Sequence, residues 1–273
     1  MIPCVNGATT MPYPLEEDIR SASAGGFPAV EIWAGKLDAY LARHSLADLG
    51  AAVRDAGLSV AALCPYSLQM FGEWRRGLDG VERGIEVAHA VGSPLLLVCP
   101  DAPPQGMDAG EALKWAGERA RVYGDAAQAG GVRLAVEPLG GHPFVPGPRQ
   151  AMALIDAAGH PALSLMMDTF HYHKSRVPEI DVEAVPPALW SILHVNDVPG
   201  GPPEGLSDAD RLYPGEGVLP LGATLSRFAR AGYVGPVSVE VFRREYWELP
   251  IDEIVRRSFA GVAAALREAG APR

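Results

Sequence analysis

The sequence predicts an α/β fold, a single (β/α)8 or TIM barrel spanning residues 1–273 as one domain. Three observations predict it. Eight short apolar runs recur, ending near Asn6, Glu31, Cys64, Cys99, Glu137, Asp168, His194 and Glu240. From Asn6 to Glu240 is 234 residues over seven intervals, about 33 per unit, the length of one strand with its crossover helix. Between the runs, loop residues and then helical periodicity return each time.

The elements follow in order. CVN closes the first run, and Pro14–Ala24 reads as a helix whose Glu16, Glu17 and Asp18 suit its N-terminus. After VEIW, Ser45 is placed as the N-cap of Leu46–Ala56, with Gly57 as the stop. Leu78–Ala90 and Ala109–Ala129 carry helical spacing, and Gly92 and Gly130 stand at their C-caps. Pro148–Ala158 and Leu221–Ala231 close on Gly159 and Gly232, and Pro250–Ala269 is the last helix. One irregularity breaks the alternation: residues 196–217, rich in Pro, Gly and Asp, form a loop long enough to be functional. Following the seventh strand, it would lie over the barrel rim as a lid.

Composition narrows the function classes. A formal charge of −10 with only 23 Lys and Arg excludes a general polyanion binder, so no nucleic-acid partner is expected. The apolar stretch around Leu95–Cys99 is far too short for a membrane span, and the N-terminus shows no basic, then apolar, leader pattern. A cytoplasmic protein is the expectation. Cys4, Cys64 and Cys99 are too scattered for a disulfide framework and are read as buried free thiols. There is no Gly-rich phosphate turn and no GxSxG elbow.

Four runs end on a side chain able to hold a metal: LAVE at Glu137, LMMD at Asp168, SILH at His194 and VSVE at Glu240. In a parallel barrel these ends share one rim, where three carboxylates and an imidazole would surround a divalent cation. Lone carboxylates ending apolar runs are costly to bury, and a cation satisfies several at once. Oxygen-rich ligands without thiolates suit Mn²⁺, Zn²⁺, Co²⁺ or Mg²⁺ rather than a structural zinc. Taken singly, each residue has a plainer alternative, an ion pair with arginine or a satisfied core histidine. His171, three residues past Asp168, would turn back into the same cavity; a solvent-facing loop histidine is the alternative. Arg211 in DADRLYPGEG either reaches a substrate oxygen from the lid or belongs to a solvated charge cluster. His142, in GGHP after Glu137, stands between pocket wall and loop. His44, His89 and His160 are given no role, and His173 is placed at the surface or behind the site.

The segments CVNGATT at 4–10, VEIWAGKLDAYLARHSLADL at 30–49 and DTFHYH at 168–173, with LSDADRLYPGEG at 206–217 and VSVEVFRREYWEL at 237–249, carry a resemblance. The chain resembles the sugar phosphate isomerase/epimerase superfamily, built on the xylose isomerase-like TIM barrel, and within it most the inosose isomerases. The resemblance implies that Glu137, Asp168, His194 and Glu240 bind one divalent metal. It implies that Glu137 and Glu240, on opposite sides of the substrate, exchange protons with adjacent carbons. His171 and Arg211 would hold substrate oxygens, with Asn6, Trp33 and His142 lining the pocket. In two places the chain departs from the pattern: Gly7 stands where an acidic residue is usual, and Trp33 where a polar one is.

The activity implied is metal-dependent isomerisation of a keto-polyol, 2-keto-myo-inositol to 1-keto-D-chiro-inositol, through a cis-enediolate. A ketose 3-epimerase and an inosose or 3-dehydroshikimate-type dehydratase share that intermediate, so the fixed residues do not choose among them. A DNA-repair endonuclease on the same barrel would need more ligands and a basic surface. A non-catalytic sugar-binding barrel is the remaining alternative. Trp247 in the FRREYW stretch fits a dimer contact or a pocket wall equally, so a homo-oligomer stays open.

Overall fold

Period-two alternation is what closes this chain into a ring. In the computed structural model, which describes residues 1–270, Leu95 and Leu97 point into the barrel while Leu96 and Val98 point out to the helices. The same parity places Cys4, Ala29, Ala62, Cys64, Ala135, Met166 and Ile192 inside. Both faces of each strand are covered, so the runs read as nearly continuous apolar stretches.

The order is β1 (Ile2–Asn6), α1 (Leu15–Ala24), β2 (Ala29–Trp33), α2 (Leu37–Leu41), α3 (Leu46–Asp55), β3 (Ser59–Leu68) and α4 (Trp74–Val91). It continues through β4 (Leu95–Pro100), α5 (Ala109–Ala129), β5 (Arg133–Val136), α6 (Pro148–Ala158), β6 (Leu163–Asp168), α7 (Thr169–Lys174) and α8 (Glu179–Glu183). It ends with β7 (Trp190–Val195), α9 (Leu221–Arg230), β8 (Pro236–Val239), α10 (Arg244–Trp247) and α11 (Ile251–Glu268). The eight strands pair in parallel in sequence order, and β8 returns to β1 to close the barrel.

Local chemistry sets the helix ends. Ser45 and Asp48 form a reciprocal capping box at α3. Gly92 ends α4 in the left-handed conformation, φ 69°. At α5 Gly130 is the C-cap as expected, at φ −83°, and the next residue, Gly131, makes the left-handed turn at φ 63°. Strand β3 runs to Leu68, four residues past the expected end at Cys64, pairing with β4 up to Pro100.

Two departures from a regular barrel shape the rim. The sixth crossover is two short helices, α7 and α8, stopped by Pro178 and by Pro186–Pro187. A cavity of about 680 Å³ results outside the barrel, between α7, α8 and α9. His173, expected at the surface or behind the site, lies half-buried against this cavity. The second departure is the segment between β7 and α9. Asp197 and Leu212 exchange backbone hydrogen bonds of 2.8 Å in both directions, folding it over the C-terminal rim. Its far end is held down by stacked Tyr213 and Tyr246, with Arg257 over both rings and paired to Glu216. Among the described residues, no helix is long and apolar enough to cross a membrane.

Candidate active site

Inward parity carries on past the packed interior to the C-terminal rim. Two residues beyond Cys4 is Asn6, beyond Ala29 is Glu31, and beyond Leu97 is Cys99. Glu137 follows Ala135, Asp168 follows Met166, His194 follows Ile192, and Glu240 follows Ser238. One ligand atom each from Glu137, Asp168, His194 and Glu240 lies within 4.8 Å of the other three, and all four residues are buried.

Each ligand is held from behind. Asp168 caps α7: its Oδ1 accepts the backbone N–H of Phe170 at 2.7 Å and of His171 at 3.1 Å, leaving Oδ2 to face the centre. His194 Nε2 lies 2.9 and 3.1 Å from the two oxygens of Glu31, and Ser238 Oγ donates to Glu31 at 2.8 Å. A carboxylate can only accept here, so the proton sits on Nε2 and the Nδ1 lone pair faces the cluster. That Nδ1 is buried without a hydrogen-bond partner, although Glu240 Oε2 is 3.2 Å and Asp168 Oδ2 3.7 Å away. Asn6 Nδ2 donates to Glu240 Oε1 at 3.2 Å, leaving Oε2 for the centre.

The electrostatics call for positive charge. Glu31, Glu137, Asp168 and Glu240 are four buried carboxylates, and the guanidinium among them is that of Arg211. Burial first, then Glu240, raises the Glu137 pKa to about 8. Burial opposes charging of His194, yet Glu31 and Glu240 outweigh it and raise its pKa well above the ordinary range. The ring therefore attracts a proton or a cation. Burial also opposes ionisation of Asp168, but the Arg211 guanidinium outweighs it and holds the carboxyl well below the usual carboxylate range. An orphaned imidazole lone pair amid inward carboxylate oxygens fits one divalent metal; the donor set lacks the thiolates of a structural zinc site.

Arg211 descends from the β7–α9 segment into the centre. Its Nη1 donates to Asp168 Oδ2 at 2.6 Å and Glu240 Oε2 at 3.1 Å, while Nη2 and Nε donate to Asp208 at 2.7 and 3.0 Å. Nη2 also lies 3.2 Å from His171 Nε2. Arginine has only donors, so His171 Nε2 accepts, and burial pushes this ring's pKa down to about 4. The neutral imidazole sits 3.6 Å from Glu137.

Trp33 is half-buried on the rim, edge-on to Phe242. His142 Nδ1 accepts the backbone N–H groups of Phe144 and Val145, which fixes its own loop. His44 lies half-exposed near Glu16, His89 bonds Gly130 and His160 caps Ala162, all outside the rim. Trp247 is half-buried.

One expectation is corrected. Cys99 is not a core thiol: it is half-buried at the rim, its Sγ 3.4 Å from Glu137 Oε2, because inward parity at a strand end leads to the site. Glu31 is a site residue that the sequence reading misses, though it closes FPAVE as Glu137 closes LAVE; that rule, extended to the second run, finds it. Asp208 and Asn196, the latter 3.4 Å from Asp168, gave no separate signal in the sequence.

This barrel and its rim define the class. The chain belongs to the xylose isomerase-like TIM barrel family, whose model matches residues 19–265. It is 29% identical over 260 residues to an inosose isomerase of Bacillus velezensis, covering 93% of this chain and 92% of that protein. A 3-dehydroshikimate dehydratase of Pseudomonas putida is 26% identical over 243 residues, 86% of this chain but 37% of that longer protein. Among solved structures, the IolI protein with a bound zinc atom superposes with a TM-score of 0.90 at 27% identity, covering 98% of this chain and 99% of that one.

Proposed function

We propose that this chain is a divalent-metal-dependent isomerase of a small keto-polyol, with 2-keto-myo-inositol to 1-keto-D-chiro-inositol as the best-supported conversion. The observation that carries the reading is the convergence of Glu137 and Glu240 on one centre with Asp168 and His194. Glu137 follows β5 and Glu240 follows β8, three strands apart in a ring of eight, so their carboxylates approach a bound substrate from different sides. Relatives named inosose isomerase that align along almost the whole chain support the same reading.

Glu137, Asp168, His194 and Glu240 would hold the metal, of which Mn²⁺, Zn²⁺, Co²⁺ and Mg²⁺ are all compatible with the donors. When bound it supplies Lewis acidity to a carbonyl and its neighbouring hydroxyl, making the α-proton removable. One of the two glutamates takes that proton, the hydroxyl proton of the resulting enediolate passes to the former carbonyl oxygen, and the other glutamate delivers a proton to the former carbonyl carbon, giving the isomeric ketone. Arg211 and the neutral His171 orient substrate oxygens, and the 196–217 segment acts as a lid that excludes water. Asn6 holds the Glu240 carboxylate through its Nδ2 contact to Oε1. Trp33 and the His142 loop complete the pocket walls. A single barrel unit suffices for all of this.

Dehydration is the second reading. Loss of a β-hydroxyl from the same enediolate needs only an acid on that side, and the dehydratase similarity favours it over epimerisation. Incubating metal-loaded protein with inososes, ketohexoses and 3-dehydroshikimate in D₂O, read by NMR, separates the two. Deuterium α to the ketone with a new ketone isomer is the expected result; loss of water selects the dehydratase. Absence of exchange on every α-hydroxyketone refutes the enediolate chemistry.

A further inference from the structure

We infer that Asp208 is a built-in stand-in for a substrate oxygen, occupying N–H groups of Arg211 until a bound keto-polyol takes its place. The inference rests on the reading in which Arg211 orients oxygens of a keto-polyol, and it says how that residue becomes free to do so.

A guanidinium has five N–H donors and no acceptor, and here the protein uses every one. Nη1 donates to Asp168 Oδ2 and to Glu240 Oε2. Nη2 donates to Asp208 Oδ1 and to His171 Nε2, and Nε donates to the same Asp208 oxygen. Two rings flank the group, with Arg211 Cζ 4.6 Å from the Phe170 centroid and 5.3 Å from that of Phe242. Only 1% of the side chain is exposed. Arg211 keeps no donor in reserve.

A substrate oxygen therefore reaches Arg211 only by replacing one of its acceptors, and exposure separates the candidates. The side chains of Asp168, Glu240 and His171 are 0%, 4% and 10% exposed. Parted from the guanidinium, each would be left buried and unpaired, which is costly. The Asp208 side chain is 54% exposed, so a released carboxylate returns to water. Its release frees two donors at once, Nε and Nη2, which converge on one oxygen. A single hydroxyl or ketone oxygen, with two lone pairs, fits the same pair.

Nor does the turn that Asp208 opens depend on its side chain. Asp210 Oδ2 accepts from the Ser207 backbone N–H and from the Ser207 hydroxyl, both at 2.8 Å, and this closes residues 207–210. Among the described residues, the hydrogen bonds of the Asp208 carboxylate all come from Arg211. The aspartate is committed to that guanidinium alone.

Removing a competitor tightens binding, whereas removing a support weakens it. D208N keeps an oxygen that aims Arg211 but gives up the charge. On Mn²⁺-loaded protein, the calorimetric Kd for myo-inositol, a ring polyol with no ketone to enolise, should fall about two- to fivefold, in line with loss of one half-exposed charge pair. The KM for 2-keto-myo-inositol should fall by a similar factor with kcat unchanged, the mark of an effect on binding alone. In an R211Q background D208N should bring no gain. D208A takes the place of D208N if that variant does not fold, and the single variant decides if the double one does not. An unchanged or higher Kd, a gain that persists with R211Q, or binding of neither ring by any variant overturns the stand-in. Deuterium exchange on 2-keto-myo-inositol in the same preparations separates the two claims. Tighter myo-inositol binding without exchange removes the isomerase reading alone; exchange with an unchanged Kd removes the role of Asp208 alone.

Discussion

Glu31 has no exposed side-chain surface, and its two donors are His194 Nε2 and Ser238 Oγ. An anion in that position fixes the tautomer and orientation of His194 and makes Nδ1 more basic. E31Q keeps an oxygen to accept from Nε2 but removes the charge. Metal affinity should fall about 10- to 100-fold in a competitive chelator titration, with the fold retained. An unchanged affinity would show Glu31 to be packing alone. At this scale the sequence was most legible where an acid or histidine ends an apolar run, as at Glu137, Asp168, His194 and Glu240. It was less legible for Asp208, whose contact with Arg211 depends on how one loop folds back.

At the scale of elements, Asp197 fastens the segment that carries Arg211. Its Oδ1 accepts from Val198 at 2.9 Å and Leu219 at 2.8 Å, and its Oδ2 from Gly215 at 3.1 Å. Only glycine fits at 217, because a Cβ there would run into the Val198 carbonyl oxygen. D197A leaves these N–H groups unpaired and should cost about 2–4 kcal/mol in urea denaturation, with proteolysis appearing inside residues 197–219. Unaltered protease resistance would contradict this role. Long helices could be read from periodicity and caps, as Ser45 shows. The short ones, α2, α7, α8 and α10, have at most six residues, too few for a helical period to register against the loop chemistry around them.

For the whole molecule, the closed barrel brings four buried carboxylates to one rim in a chain that already carries a formal charge of −10. Metal binding should therefore stabilise the fold. At 100 times Kd the gain is about 2.7 kcal/mol, or roughly 5–10 °C in Tm for a chain this size, reversed by EDTA. A Tm indifferent to metal would argue against a resident cation. Eight runs at regular spacing made the barrel legible, because period two and crossover length are both properties of local sequence. The outer cavity beside α8 was not, since it arises from what Pro178 and Pro186–Pro187 prevent the sixth crossover from forming. The central claim is that Glu137, Asp168, His194 and Glu240 form one metal centre. D168N tests it cleanly, because asparagine still caps α7 while the inward charge is lost. Metal analysis of purified protein should find one divalent ion per wild-type chain and a large loss in both D168N and H194A; full occupancy in both variants would contradict the account.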